Sequence, residues 1–506
     1  MADNNYHKVA KNALLLYVRT LVSILLQLIA VRYLLKYLGS EDYGLYGLIG
    51  SIVVVVESLK GMFSGSIQRF INIEIGKGNT DKVRDIFNVG RRIHIYIGLI
   101  LTTLTIIIGC VSIPFLNIPE GSANQAYIVL LFTAVNMGIG MIIVPYDALI
   151  IAYEHFNALA YISIFNSVLK LIIVFILLLF PIWRVSAYAG LLLLVTIITR
   201  FLNYCFCKHK LKSVTTVSSV VDKSYYKQLI RFTGLQGLGV LSSSAQGTGI
   251  NFLLNIYGGL LVNTARTIAY QVLAAVNVLV WNINISFNPR CITLWGAGQF
   301  SEFYKLMFLQ SKLCFMINAA MGCLIATFAI PILKIWLGEV PEFTVAFIQI
   351  IFVFAILKSF QDALDLLYKA SGLIKPFQIT VTLFNVLSIL LVWAFLRVGY
   401  PYAWAFGTMV ICEFVIVVVS TIMAKSKLSF PLKSYTKDVL VRTVTCSALL
   451  YGLFYIVYPI VSRLESLLVL IPSCLFVFVT ILGVTIGLMF SPKELKHLKE
   501  NFRQRK

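Results

Sequence analysis

The residues able to do chemistry in this chain are charges set among apolar neighbours. Lys358-Ser-Phe-Gln-Asp362-Ala-Leu-Asp365-Leu-Leu-Tyr-Lys369 closes a long apolar run that begins near Phe343. At about 100° per residue, Lys358, Asp362, Asp365 and Lys369 fall within roughly 60° of one another, a single helical stripe. A charge at a bilayer centre costs on the order of 2.5–3.5 kcal/mol, so the stripe faces protein or water. Lys358 and Asp362 are spaced to pair. That leaves Asp365 as a spare carboxylate, the kind of group that binds a proton or a coupling ion. Pro145-Tyr-Asp147-Ala-Leu-Ile-Ile-Ala-Tyr153-Glu154 repeats the Asp-Ala-Leu and the later tyrosine followed by a charge. Matching Asp147 to Asp362 makes both architectural. It sets Asp365 opposite Ile150, so that Lys358 and Asp365 are particular to the second copy.

Other charges punctuate other apolar runs. Arg19 and Arg32 lie on one run with Gln27 between them. They are about 20 Å apart along a helix, too far to share a ligand from one face. Arg32 reads first as a side chain that snorkels to headgroups, and Arg19 either snorkels or faces a cavity. Glu57 and Lys60 are three apart, so they form an internal ion pair or open a polar passage continued by Gly61, Ser64 and Gln68. Lys170 is in the middle of its run, where no short route leads to water. Arg266 opens another run near its outer boundary, where it either snorkels to headgroups or, as the group best suited to hold a phosphate with two hydrogen bonds, binds an anion. Gln236, Ser242-Ser-Ser244, Gln246, Thr248, Asn251 and Asn255 give one run a polar face without charge, suited equally to close packing and to lining a pore.

The elements that must position these residues are membrane helices. The chain has 506 residues, 59% hydrophobic and 12% charged, which excludes a soluble domain. Fourteen spans are predicted, at about 13–36, 45–68, 93–115, 126–150, 158–181, 186–206, 232–255, 260–284, 310–335, 343–368, 377–397, 402–423, 439–461 and 466–490. Lys and Arg number 42 against 21 Asp and Glu, a net charge of +21. Roughly 30 of those cations fall on the loops of one side, about 5 on the other and about 7 within spans. The positive-inside rule therefore puts both termini in the cytoplasm and accounts for the charge without nucleic acid. The polar start, Met1 to Lys11, runs into a full span with no cleavage signal, and so reads as a retained helix. Nine cysteines fall in spans or inner loops, against a disulfide framework, and Cys205-Phe-Cys207 lacks the partners of a zinc site.

The first six spans repeat in the next six. Gly76-Lys-Gly78 answers Gly296-Ala-Gly298, and Phe165-Asn166 answers Phe384-Asn385. An even number of spans keeps the orientation, which predicts a parallel repeat with a site between the halves. The expected organisation is residues 1–215 as an N-lobe, 216–438 as a C-lobe, and 439–506 as two further helices and a tail.

Asn255-Ile-Tyr-Gly-Gly-Leu-Leu-Val-Asn263-Thr-Ala-Arg266-Thr-Ile-Ala-Tyr-Gln271-Val, with Asn288-Pro-Arg290 and Trp295-Gly-Ala-Gly298 after it, resembles the Wzx-type bacterial polysaccharide flippases. These export O-antigen or capsule repeat units and belong to the multidrug/oligosaccharidyl-lipid/polysaccharide (MOP) superfamily. Leu38-Gly39 through Asp42-Tyr43-Gly44-Leu-Tyr-Gly47, and Pro145-Tyr146 leading to Tyr153-Glu154, carry the same likeness. It covers essentially the whole chain; each motif is loose alone, and their order is more specific. The resemblance implies an all-α polytopic fold of two six-helix lobes in a V plus two C-terminal helices, opening alternately to each side. It implies an undecaprenyl-diphosphate-linked oligosaccharide as substrate, taken from the cytoplasmic to the periplasmic leaflet of the inner membrane, with a polysaccharide polymerase as a possible neighbour. The cationic cavity of such proteins would correspond here to Arg19, Lys60, Lys170, Arg266 and Lys358, matched by span and charge. Glu57, Asp362 and Asp365 are the candidates for ion coupling or ion pairing. H+ or Na+ is the implied coupling ion, with no metal site and no organic cofactor. Two other readings stand beside it: a cation-coupled multidrug exporter of the same superfamily, which wants acidic cavity residues, and a membrane polysaccharide polymerase, which wants an outer loop longer than any here.

Overall fold

A computed structural model describes residues 12, 14–27, 29–30, 33–34, 36–38, 42, 45–46, 49, 60–115, 122–180, 182–216, 223–337, 340–461 and 467–490. Glu57 and Arg32 lie outside these residues, and the side chain of Lys60 is likewise not described. The fold is all-α, with no strand among the described residues. Among the described residues eleven helices are long and apolar enough to cross a membrane. They match the third to sixth and eighth to fourteenth predicted spans. The first span is represented by α1 (Leu14–Gln27) and the second by α2 (Lys60–Gly76). The seventh span lies within α9 (Lys223–Gly296), whose 74 residues would reach about 110 Å if straight. It is not straight. Arg266 Nη1 donates to Asn251 Oδ1 at 3.1 Å and Nη2 to the Gly247 carbonyl at 2.6 Å, between residues that a straight helix would hold more than about 20 Å apart. The seventh and eighth spans therefore form a hairpin, as their separate prediction requires.

The chain forms two compact units. One runs as far as Gly237 and includes Ile292–Gly298; the other holds Leu238–Cys291 and everything from Gln299 onward. In the first unit α3 (Thr80–Ser112), α4 (Ala123–Ile142), α5 (Val144–Ala152), α6 (Phe156–Ile176), α7 (Arg184–Lys210) and the short α8 (Lys212–Thr215) pack with α2, and the beginning of α9 joins their core. Pro145, at the start of α5, breaks what the sequence reads as one span into α4 and α5. Ile67, Ile71, Phe87, Tyr146, Leu149, Cys207 and Leu229 share one core there. The Arg69 guanidinium lies between the Phe70 and Phe232 rings, 5.0 and 4.6 Å from their centroids, and ties the start of α9 to α2. In the second unit α10 (Phe300–Thr327), α11 (Ala329–Leu337), α12 (Thr344–Ser371), α13 (Ile374–Val398) and α14 (Trp404–Leu428) follow one another, with the arms of α9 sharing a core with α12, α13 and α14; the short α15 (Leu432–Tyr435) leads to α16 (Val441–Val461), which lies with α17 (Leu467–Met489) against α10.

The repeat is visible in backbone detail. Gly78 and Gly298 both take positive φ, 75° and 73°, and close the same turn: Gly78 N–H donates to the Ile75 carbonyl and Gly298 N–H to the Trp295 carbonyl, each at 3.0 Å. Helix ends correct the register chosen from sequence. Glu154 and Gly372 are both left-handed, His155 and Leu373 precede helices with matching dihedrals, and α6 and α13 begin at Phe156 and Ile374, a constant offset of 218. That offset pairs Asp147 with Asp365, not with Asp362. The Asp-Ala-Leu identity is displaced by three residues, because α5 starts anew at its proline while α12 is unbroken. Asp365 therefore has a counterpart after all.

Candidate functional site

In the first unit, α1, α4, α5, α6 and α7 enclose a polar cavity of about 280 Å³. Arg19 reaches it from α1, Lys170 from α6 and Arg200 from α7; Asp147 is its one acid, and Asn136, Asn166 and Asn203 supply amides. The Ser167 hydroxyl lies 3.1 Å from that of Ser23, fixing α6 to α1 one turn beyond Arg19. Asp147 is already committed: Arg200 Nη1 donates to its Oδ2 at 3.0 Å and Asn203 Nδ2 to its Oδ1 at 2.7 Å. Three cations thus share the space with one acid whose two oxygens both accept hydrogen bonds. Among the described residues Arg19 has no hydrogen-bond or ion-pair partner, and its fork of N–H groups is available to an anion. The sequence singled out Arg19 and Lys170 and passed over Arg200, though an arginine six residues before the end of an apolar span is the same signal. Asp147, read as architectural, holds Arg200 at the cavity wall.

The second unit holds the remaining candidates. Arg266 is buried at the α9 hairpin, bonded as described above, with its guanidinium 4.2 Å from the Tyr270 ring centroid. It serves there as a brace between the two arms. Lys358 hydrogen-bonds Gln361 and lies 3.9 Å from the Glu413 carboxylate of α14, which is only 3% exposed. The expected pairing of Lys358 with Asp362 is not what forms. Asp362 accepts from Asn284 Nδ2 at 3.1 Å, and Asn284 Oδ1 in turn accepts from Gln310 Nε2 at 2.8 Å. Asp365, expected to be the spare acid, is ion-paired with Lys369 one turn on. Among the described residues, then, Lys358 pairs with Glu413 across helices, and Asp362 is held by the Asn284 amide and by no ion pair. Sequence reasoning missed Glu413, a lone acid inside the apolar twelfth span.

What these two clusters can do differs. The first can replace the hydration of a phosphate or other anion by fixed N–H donors. The second gathers two carboxylates and one ammonium among amides, an arrangement whose charge changes by one when a proton or a monovalent cation binds.

No protein-family profile and no curated protein matches this sequence. Solved structures do match its fold. A MATE protein crystallised in the bent conformation superposes with a TM-score of 0.75 at 14% identity, covering 85% of this chain and 96% of its own. An outward-facing multidrug resistance MATE family transporter of the MOP superfamily gives 0.71 at 14% identity, over 83% of this chain and 95% of its own. A MOP superfamily transporter from Pyrococcus furiosus, described as having a binding pocket of reversed polarity that suggests a different function, gives the same values. The chain has the fold of the MOP superfamily transporters.

Proposed function

We propose that this protein is a lipid-linked oligosaccharide flippase. It moves undecaprenyl-diphosphate-linked repeat units from the cytoplasmic to the periplasmic leaflet of a bacterial inner membrane by alternating access, with both termini in the cytoplasm. The observation that carries this reading is the charge of the cavity in the first unit: Arg19, Lys170 and Arg200 against the single, fully bonded Asp147. A diphosphate is multiply anionic, and carrying it unaided through hydrocarbon is prohibitive. A cavity of fixed cations substitutes for its water and draws it in. Release needs weaker binding in the second state, so something must differ between the states. A proton or Na+ taken up near Asp362 and Glu413 supplies that difference. No bond of the substrate is broken, so the reading makes the protein a carrier and not an enzyme.

A second reading, a cation-coupled multidrug exporter, draws support from those same membrane carboxylates and from the fold shared with a multidrug resistance transporter. The cavity of the first unit speaks against it, since a cationic drug would meet like charge there.

One experiment separates the two. Arg19→Ala, Lys170→Ala, Arg200→Ala and Lys358→Ala are each expressed, and accumulation of lipid-linked repeat units on the cytoplasmic side is measured beside resistance to cationic drugs. Accumulation in the Arg19 and Lys170 variants supports the flippase. Normal export by every variant overturns it, and drug resistance conferred by the unaltered protein selects the exporter.

A further inference from the structure

An apolar groove of about 470 Å³ runs along the first unit between α2, α3 and the beginning of α9. Ile93, Leu229 and Thr233 form its buried floor; Tyr96 and Ile230, 66% and 60% exposed, stand as walls open to the lipid-facing side. Phe63 and Tyr226 line it as well. Both α3 and α9 enter the membrane from the side that carries the basic loops, so the groove begins at that leaflet. On α9 the groove stripe is Tyr226, Ile230, Thr233 and Gly234. Lys227 and Arg231, both exposed, lie along its flank, Lys227 within about 20° of Gly234 on the helical wheel.

Two details mark the groove as more than surface roughness. The Thr233 hydroxyl is buried in its floor and has no hydrogen-bond partner among the described residues, although a helical threonine ordinarily bonds back to its own helix. A Cβ placed at Gly234 would meet no atom within 4 Å, so the glycine leaves the groove unfilled at that level.

We propose that this groove is a binding site for one acyl chain of an anionic phospholipid, with the headgroup phosphate at Lys227 and Arg231 and an ester carbonyl accepting from the Thr233 hydroxyl. The order along the helix fits. The two cations precede Thr233 by two and six residues, about 3 and 9 Å of rise, as a phosphate precedes the ester groups on the way into the bilayer. The ester also separates the candidates: a polyprenyl diphosphate has the anion and the hydrocarbon but no carbonyl for Thr233. This inference stands apart from the transport reading, because none of these residues lines the cationic cavity.

The test uses the purified full-length chain in detergent with added phosphatidylglycerol, phosphatidylcholine or a polyprenyl diphosphate, and counts retained lipid by native mass spectrometry. A phosphatidylglycerol carrying a diazirine on its acyl chain then maps the contact. The expected result is one phosphatidylglycerol retained about tenfold better than phosphatidylcholine, with crosslinks to 93–97 and 226–234. Gly234→Trp fills the groove and should abolish both. The helix has room for the new Cβ and gains propensity by losing a glycine, and unchanged thermal melting verifies the fold. Lys227→Gln with Arg231→Gln should remove the preference between the two phospholipids and keep the crosslink position. Equal retention of both phospholipids, untouched by Gly234→Trp, means ordinary annular lipid and overturns the proposal. Displacement of phosphatidylglycerol by the polyprenyl diphosphate at lower concentration overturns it in favour of a prenyl site.

Discussion

Arg19 and Arg200 lie in the same cavity and occupy opposite electrostatic states. Arg200 is pinned to Asp147, whereas Arg19 has no partner among the described residues. A free guanidinium contributes its whole charge to a bound anion, and a paired one contributes only what its carboxylate leaves. Arg19→Ala should therefore weaken binding of a polyprenyl diphosphate about tenfold, the effect of one charge-assisted hydrogen bond, as read by a binding titration with the purified protein. Arg200→Ala should weaken it less. Asp147→Asn separates the two roles further. It leaves the Asn203 bond in place, removes the anion facing Arg200, and so should raise diphosphate affinity while lowering the melting temperature. The pair is partly exposed, so the cost should be about 1–3 kcal/mol, below that of a fully buried pair. Adding Arg200→Gln to Asp147→Asn should restore stability and abolish the gain in affinity; stability unchanged by either variant would show that the pair has no structural role.

Glycines at the ends of α2 and α9 decide how closely those helices meet. A Cβ on Gly76 would lie 2.1 Å from the Thr293 carbonyl oxygen, and one on Gly296 would lie 2.5 Å from that of Ile73. Both obstacles are backbone, which cannot rotate aside as a side chain does. Gly76→Ala should cost about 1–3 kcal/mol by overpacking, and Gly78→Ala, whose Cβ meets open space, about 1 kcal/mol for its positive φ alone. Thermal melts of the two variants compare them directly. The same turn gives a pH signature. Burial alone would push the Glu74 carboxyl up, but Lys77 and Asn79, donating at 2.9 and 3.0 Å, hold it below the ordinary carboxylate range. A depressed carboxylate stabilises above its unfolded pKa and loses that contribution as pH falls through its folded one. Glu74→Gln should thus be less stable than the unaltered protein at pH 7, by about 1 kcal/mol or less for so small a pair, and equally stable once acid protonates Glu74. At this scale the sequence was largely legible. Apolar length places the helices, and Gly76-Lys-Gly78 with Gly296-Ala-Gly298 exposes the repeat. What escaped was register and partnership. Three identical residues outweighed a proline break in matching Asp147 to Asp362, and spacing on one helix suggested a Lys358–Asp362 pair. Asn284 and Glu413 could compete for those side chains only once α9 and α14 were folded against α12. Arg266 was read as a ligand group for a similar reason: only the fold-back of α9 shows that Asn251 and Gly247 claim it.

The two units are built on one repeat and have diverged in charge. The first carries a cavity with three cations and one satisfied acid; the second carries Asp362, bonded to Asn284 and through it to Gln310, and Lys358, bonded to Gln361 and paired with Glu413. Had both copies kept the same composition, neither could bind substrate and respond to an ion independently. On the proposed reading the two tasks would be separated, the first unit binding the anion and the second responding to the coupling ion. The linkage has a measurable form. With the protein in vesicles, Arg19→Ala and Lys170→Ala should raise the substrate concentration needed for half-maximal transport, and the dependence on pH or Na+ should keep its shape. Asp362→Asn with Glu413→Gln should do the reverse, leaving diphosphate binding within about twofold and flattening the pH or Na+ dependence. Asp365→Asn, which removes an acid already paired with Lys369, should flatten nothing. If transport by the Asp362 and Glu413 double variant keeps the full ion dependence, coupling through the second unit is wrong, and the cavity of the first must both bind and switch.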